Sequence, residues 1–280
     1  MKNHFSVIGN PIEHSLSPFI HQAFAKQTGI EIHYKKILAP IDQFDEYVLN
    51  FQKEGASGAN ITLPFKAQAF NLATKKTDAA KTAGAANTLQ FKANGDILAD
   101  NTDGTGLTQD LIRNNEYSIR QKNILILGAG GAVRGVIGAL LELAPASITI
   151  ANRTPEKAIS LANHFNMAGN VTGIDINNIE HTPFDLIIQG TSLGIQMKLP
   201  TVPKEIIGDA TWCYDLMYGE EATPFLSWAE QQGAAKCLDG LGMLVEQAAA
   251  SFYLWHGVYP RTRIVIDALQ KNKYERSNFK

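Results

Sequence analysis

A chain of 280 residues, 45% hydrophobic and 19% charged, has the composition of a globular protein of one large or two medium domains and not of a disordered one. The formal charge of -2 gives no electrostatic basis for binding nucleic acid or an anionic membrane, and no apolar run is long enough to span a bilayer. Residues 1–10 lack the apolar core of a secretory leader, so the expected compartment is the cytoplasm.

Cys213 and Cys237 are the only cysteines. Far apart in sequence and in no C-x-x-C pair, they are expected to be buried thiols, and the histidines show no metal-binding spacing, so no metal is expected.

Phe5 to Gly9 reads as a first strand. It leads through Asn10, Pro11, Ile12, Glu13, His14, Ser15 and Leu16 to Ser17 and Pro18, which read as helix N-cap and first helical residue. Two hydroxyls at a helix N-terminus, from Ser15 and Ser17, suit a small carboxylate, although capping alone would explain Ser17 equally well. His14 has no visible orienting partner and is given no role. Ile32 to Leu38 is the next strand, Ile41 to Phe51 a helix on Phe44, Val48 and Phe51, and Gly58 to Leu63 a third strand. This alternation implies βαβ units. Asn60, Thr62 and Lys66 fall at or just past the carboxyl end of the third strand, where open α/β sheets bind ligands. Lys66 opens a further helix, Ala67 to Leu72.

Gly84 to Phe91, an Asn94-Gly95 turn and Ile97 to Ala99 make a hairpin. The DNTDGTG run, residues 100–106, then reads as a loop without calcium-binding spacing. It lies between this α/β unit and the next, where a catalytic carboxylate can face both a substrate and a cofactor.

Residues 122–154, KNILILGAGGAVRGVIGALLELAPASITIANRT, have the order of a dinucleotide-binding unit. Ile124 to Leu127 is a strand buried on both faces, and Gly128, Gly130 and Gly131 turn it sharply into a helix whose N-terminus can receive a pyrophosphate. Val133, Val136, Ile137, Leu140, Leu141 and Ala144 make the apolar stripe of that helix, with Pro145 as its stop. Val133 stands where the fingerprint has its third glycine. After the second strand, Ile148 to Ala151, an NAD site usually places a carboxylate for the ribose hydroxyl. Here Asn152 and Arg153 stand instead, with Lys157 a turn further on and Thr154 and Pro155 as N-cap and first helical residue. Two cations and no carboxylate suit a 2′-phosphate, which favours NADP.

Asp185 to Gln189 is a further buried strand leading into Gly190–Gly194, and Thr211 to Leu216 reads as the last strand of a doubly wound sheet. Met243 to Trp255 and Ile264 to Lys271 read as helices, with Gln247 one turn inside the first.

Taken together, GNPIEHSLSP (9–18), GANITLPFK (58–66), GAANTL (84–89), DNTDGTG (100–106), GAGGA (128–132), NRT (152–154), GTSLG (190–194) and DGLGMLVEQAAASF (239–252) resemble the shikimate dehydrogenase family, in its order and over nearly the whole chain. The resemblance implies reversible NADPH-dependent reduction of 3-dehydroshikimate to shikimate, on the route to aromatic amino acids. It implies two α/β domains, a substrate-binding and catalytic one from 1–104 with 241–280 and a Rossmann-type NADP domain from 105–240, the last helices returning to the first.

It implies that Ser15 and Ser17 bind the substrate carboxylate, that Asn60, Thr62, Asn87, Asp103 and Gln247 meet the ring hydroxyls, and that Lys66 and Asp103 are the catalytic pair. Tyr218 is placed by it at the substrate. Gly128, Ala129, Gly130, Gly131, Ala132, Asn152, Arg153, Thr154, Lys157, Thr191, Ser192, Met217 and Gly240 are placed at the cofactor. The expected partners are the small-molecule substrate and NADP, in a monomer or homodimer. A quinate-accepting relative and a non-catalytic NADP-binding module are the alternatives.

The chemistry agrees with the residue types. Hydride delivery to a ketone builds negative charge on oxygen, which an ammonium can stabilise and protonate. A polyhydroxy ring calls for Asn, Thr, Ser and Gln, because each buried hydroxyl must find a partner. A crevice between the domains is expected to close over the reactants and exclude water.

Overall fold

The computed structural model describes residues 3–191 and 199–277, without the side chains beyond residue 271. Two compact units group residues 1–106 with 244–268, and 107–243 with 269–280.

The first unit is built on β1 (His4–Gly9), α1 (Ser17–Thr28), β2 (His33–Leu38), α2 (Phe44–Lys53), β3 (Gly58–Ile61), α3 (Lys66–Leu72), β4 (Lys75–Lys76), α4 (Asp78–Ala83), β5 (Thr88–Phe91) and β6 (Ile97–Asp100). Its six-stranded sheet has the order β2-β1-β3-β5-β6-β4. β1 pairs in parallel with β2 and β3, whereas the β5–β6 hairpin enters antiparallel to β3 and sets Thr88 directly opposite Asn60. Ile8, Phe44, Val48, Ile61, Phe65 and Leu89 fill the core on one face. The helix expected from Ile41 begins only at Phe44, because Ile41 and Asp42 are used in a turn closed by the Gln43 N–H on the Pro40 carbonyl at 3.1 Å.

α5 (Asp103–Gln109) and a π-helical turn (Asp110–Asn114) lead towards the second sheet. The second unit carries β7 (Asn123–Leu127), α6 (Gly131–Leu141), β8 (Ser147–Asn152), α7 (Pro155–Phe165), β9 (Val171–Asp175), β10 (Leu186–Gln189), β11 (Trp212–Asp215), α8 (Pro224–Gln231) and β12 (Lys236–Leu238), and its six strands form the second sheet. Its order, β12-β11-β10-β7-β8-β9, is parallel throughout and reverses direction of growth at β7, so it is doubly wound. The continuous apolar run of β7 has a physical reason: Ile124 and Ile126 enter the core beneath α6 and α7, while Leu125 and Leu127 enter a second core with Phe225 and Leu226 of α8. α9 (Leu241–His256) and α10 (Thr262–Ser277) complete the described chain.

Three expectations are corrected here. The stretch ending at Leu216 is not the last strand, since β12 follows it at the edge and is too short to show a pattern. α6 stops at Leu141, and Ala144 adopts a left-handed φ of 52° before Pro145 is reached. The two cysteines, distant in sequence, are register partners across β11 and β12. Cys213 is buried and Cys237 only partly so, its Sγ donating to the Leu226 carbonyl at 3.7 Å; both are free thiols.

Candidate active site

The turns after β1 and β3 lie side by side. A Cβ on Gly9 would meet Thr62 Cγ2 at 2.3 Å, so glycine is what lets the turns approach, and the Asn10 N–H closes them onto the Leu63 carbonyl at 2.9 Å. Ser17 is the first helical residue of α1 and not its N-cap, because Leu16 already has near-helical torsions. Ser15 takes over the capping function: its Oγ accepts the Ser17 N–H at 3.3 Å and lies 3.2 Å from the Ser17 Oγ. The two hydroxyls thus meet at the start of α1. His14 is exposed nearby and gains no role.

Lys66, at the start of α3, places its Nζ 2.5 Å from Asp103 Oδ2, with the side chains only 15% and 7% exposed. Asp103 lies in a stretch of loop composition, yet it opens α5, its N–H satisfied by Asn101 Oδ1 at 3.1 Å. The second carboxylate oxygen of Asp103 accepts from Asn87 Nδ2 at 2.9 Å. The same amide nitrogen reaches Thr102 Oγ1 at 2.9 Å and Gln247 Oε1 at 3.1 Å. Asn87 Oδ1 in turn accepts the Thr102 N–H and the Thr88 hydroxyl. Gln247, on α9, therefore faces the hairpin.

Asn60, buried in β3, donates from Nδ2 to Ser251 Oγ at 3.0 Å and Thr88 Oγ1 at 3.2 Å. Of the residues anticipated at the substrate, Ser15, Ser17, Asn60, Thr62, Lys66, Asn87, Asp103 and Gln247 all belong to the first unit. Thr88, Thr102 and Ser251 join their network without being anticipated from sequence. Thr102 lies inside the DNTDGTG motif, and Ser251 is a hydroxyl one helical turn past Gln247 within an apolar helix, a signal that was present.

The second unit carries the anticipated cofactor residues. Gly128 has φ 108°, and a Cβ there would meet the Gly190 and Thr191 backbone at 3.0 Å. Among the described residues a Cβ on Gly130 or Gly131 would meet nothing within 4 Å, and Gly130, at the N-cap of α6, has no side chain to accept a capping bond from the first turn. Ala129 packs on the core and Ala132 is half-exposed.

The missing third glycine also has an explanation. Val133 is fully buried, and its Cγ2 lies where Gly190 has no side chain: a Cβ on Gly190 would meet it at 2.4 Å. The small residue required for close packing has moved from the helix to the end of β10.

Asn152 ends β8 and donates to the Thr154 carbonyl at 2.9 Å. Arg153, Thr154 and Lys157 are exposed beside it, and Arg153 and Lys157 form no ion pair among the described residues. Thr154 stands at the N-cap of α7 with Pro155 behind it, but its side chain accepts no capping bond. Thr191 is bound through its N–H and Oγ1 to Gln189 at 3.3 and 3.0 Å, whereas Ser192 lies outside the described residues.

Met217 donates its N–H to Asp215 Oδ1 at 3.0 Å and accepts the Gly240 N–H at 2.9 Å. Gly240 is held so close that a Cβ would meet the Leu216 carbonyl at 2.4 Å. Burial holds the Asp215 carboxyl above its ordinary range, opposed by the Thr223 hydroxyl and the Met217 N–H. Tyr218 follows Met217, half-buried, and so belongs to the second unit, unlike the other residues anticipated at the substrate.

A parallel sheet with a bare glycine turn opening its first helix, in one chain with an α/β unit that buries a Lys–Asp pair, defines a nucleotide-dependent oxidoreductase. Family profiles refine that class: "Shikimate dehydrogenase substrate binding domain" matches residues 7–89, "Shikimate / quinate 5-dehydrogenase" residues 110–197, and "Shikimate 5'-dehydrogenase C-terminal domain" residues 240–270. The shikimate dehydrogenase (NADP(+)) of Coxiella burnetii (strain CbuK_Q154) is 53% identical, covering 95% of this chain and 98% of that protein.

Among solved structures, an Ael1 enzyme from Pseudomonas putida superposes with a TM-score of 0.89 at 42% identity, covering 96% of this chain and 98% of that one. The shikimate 5-dehydrogenase of Thermus thermophilus, solved in complex with NADP(H) and shikimate, gives a TM-score of 0.85 at 29% identity over 97% of this chain and 99% of that one. The chain belongs to the shikimate dehydrogenase family.

Proposed function

We infer that the protein catalyses the reversible NADPH-dependent reduction of 3-dehydroshikimate to shikimate, in the biosynthesis of aromatic amino acids. The observation that carries the assignment of the reacting groups is the Lys66–Asp103 contact of 2.5 Å, buried on both sides and extended by Asn87. NADPH, when bound, supplies the hydride. Lys66 stabilises the negative charge that grows on the carbonyl oxygen and donates the proton, and Asp103 orients its ammonium while accepting from the neighbouring ring hydroxyl. The Ser15 and Ser17 hydroxyls receive the carboxylate, Asn60, Thr62, Asn87 and Gln247 bind the remaining ring oxygens, and Tyr218 is assigned to the substrate as well.

The residues of the second unit fit the cofactor. The turn of small residues at Gly128, Ala129, Gly130, Gly131 and Ala132 leaves N–H groups for a pyrophosphate, and the exposed Arg153 and Lys157 beside Asn152 and Thr154 are free of carboxylate partners among the described residues, as a 2′-phosphate requires. Thr191, Ser192, Met217 and Gly240 are assigned to the nicotinamide half.

The enzyme is proposed to act in the cytoplasm as a monomer or homodimer without a nucleic-acid partner, which its charge of -2 supports. Among the described residues no helix is long and apolar enough to cross a membrane.

The test follows nicotinamide absorbance with NADPH or NADH and with 3-dehydroshikimate or 3-dehydroquinate. Turnover of NADPH with 3-dehydroshikimate is the expected result. Preference for 3-dehydroquinate would move the enzyme to the quinate-accepting branch, and no turnover with any pair would overturn the reading.

A further inference from the structure

Asn60 needs a fixed amide orientation to serve a substrate, and its two ends are chemically distinct: Nδ2 donates and Oδ1 accepts. Its Nδ2 faces Ser251 and Thr88, on the side of the hairpin. What fixes the other end is the Tyr34 hydroxyl, which donates to Asn60 Oδ1 at 2.7 Å from the edge strand β2. One phenol on the edge strand therefore holds the amide of β3.

The phenol is itself held. Its ring lies flat on the fully buried His21 ring, with centroids 4.4 Å apart and planes 10° from parallel. Burial pushes its O–H well above the ordinary tyrosine range, with Ser17 opposing, so it stays a donor through the working pH range.

From Asn60 the polarity runs on. Thr88 Oγ1 receives from Asn60 and donates to Asn87 Oδ1, Asn87 Nδ2 donates to Asp103, and Asp103 holds Lys66. Reversing the Asn60 amide would cost the Tyr34 hydroxyl its acceptor and would turn the amide oxygen towards Thr88 and Ser251.

We propose that Tyr34 is a positioning residue of the shikimate site, acting through Asn60 by fixing which end of its amide faces the hairpin and the substrate. This rests on the assignment of Asn60 to the substrate. Tyr34 touches no reacting atom in this role, so its loss acts on substrate affinity more than on the hydride step.

Tyr34→Phe keeps the ring on His21 and removes only the donor. KM for shikimate is expected to rise about tenfold, with kcat within about threefold of the parent, KM for NADP+ unchanged and the melting temperature close to the parent's. Asn60→Ala is expected to raise the same KM at least as far. The double variant Tyr34→Phe/Asn60→Ala should be no worse than Asn60→Ala alone, since the phenol acts through the amide.

If Asn60→Ala raises KM and Tyr34→Phe does not, the positioning role is overturned and the substrate assignment stands. If Tyr34→Phe is as damaging in the Asn60→Ala background as in the parent, Tyr34 acts by another route and the proposal fails. If neither substitution changes KM, the assignment of Asn60 to the substrate fails, and the role of Tyr34 with it.

Discussion

The two units meet the same demand, an ordered polar site, by opposite means. In the first, Asn60, Asn87, Thr88, Thr102, Asp103 and Ser251 bond to one another, so their orientations are set within the chain. In the second, the site is defined by what is absent. Gly128, Gly130 and Gly131 offer backbone without side chains, and Arg153 and Lys157 stand exposed after β8. A ring carrying several hydroxyls is distinguished from its relatives by the direction of each hydrogen bond, which needs preorganised partners. A pyrophosphate and a phosphate need only donors and positive charge, which backbone and solvated cations provide. Substitutions in the first unit should therefore be coupled, and those in the second local.

The largest effect is expected at Lys66. Lys66→Ala removes the proton donor and the charge that stabilises the developing alkoxide, and kcat should fall about a thousandfold. KM for shikimate should move only a few-fold, because the hydroxyl-binding partners remain. Turnover within a few-fold of the parent would break the contrast at its centre, since the catalytic pair would then lie elsewhere.

In the second unit the corresponding weak point is packing. Gly190→Ala brings a methyl to 2.4 Å from Val133 Cγ2 and should lower stability by about 1–3 kcal/mol in urea unfolding. Adding Val133→Ala should return part of that loss, although it removes buried methyls of its own. A Gly190→Ala variant that Val133→Ala makes no better would show that the glycine serves something other than helix–strand contact.

The same contrast explains what could be read from sequence. β7 and β10 were legible because buried strands of a parallel sheet are continuous apolar runs. β4, β9 and β12 were not: two are very short, and β9 carries Gly173, which passes so close to the Ala158 carbonyl that a Cβ would lie 2.3 Å from it. α5 was hidden because Asp103, Gly104, Thr105 and Gly106 have turn composition, and its helicity depends on the Asn101 bond and on burial of Leu107.

The anticipated substrate residues were accessible as motifs, and all but Tyr218 fall within the first unit. Tyr34 was not accessible, because HYKKIL on an edge strand gives no sign that one ring turns inward. Nor did the spacing of Cys213 and Cys237 reveal that they are neighbours, since strand pairing of β11 with β12 is a tertiary fact.

His21 supplies a pH test of how dry the first unit is behind its network. Burial holds its pKa down at about 3, with His256 adding to the effect, against 6.5 for an ordinary histidine. Below pH 6.5 the unfolded chain takes a proton that the native protein refuses until about pH 3, so stability is full above 6.5 and is lost as the pH falls through that window. The slope is about 1.4 kcal/mol per pH unit, or about 2 kcal/mol between pH 6.5 and 5. His21→Phe should show a correspondingly smaller loss in urea unfolding at pH 5 relative to pH 7. Equal losses in parent and variant would mean that His21 is reached by water.

The smallest effect is expected at the exposed cations, and it separates a built pocket from a solvated charge. Arg153 makes no hydrogen bond or ion pair among the described residues, so its attraction for a 2′-phosphate is screened by water and salt. Arg153→Ala should raise KM for NADPH about tenfold and leave KM for NADH and for shikimate unchanged. The loss should shrink as ionic strength rises, which a network of saturated side chains would not do. Asn152→Asp should act in the same direction by adding a carboxylate that repels the phosphate and accepts from a ribose hydroxyl, raising NADPH KM while lowering that for NADH. An equal penalty for both nucleotides in Arg153→Ala would place Arg153 at a group they share, and discrimination between them would have to come from Lys157 or Thr154.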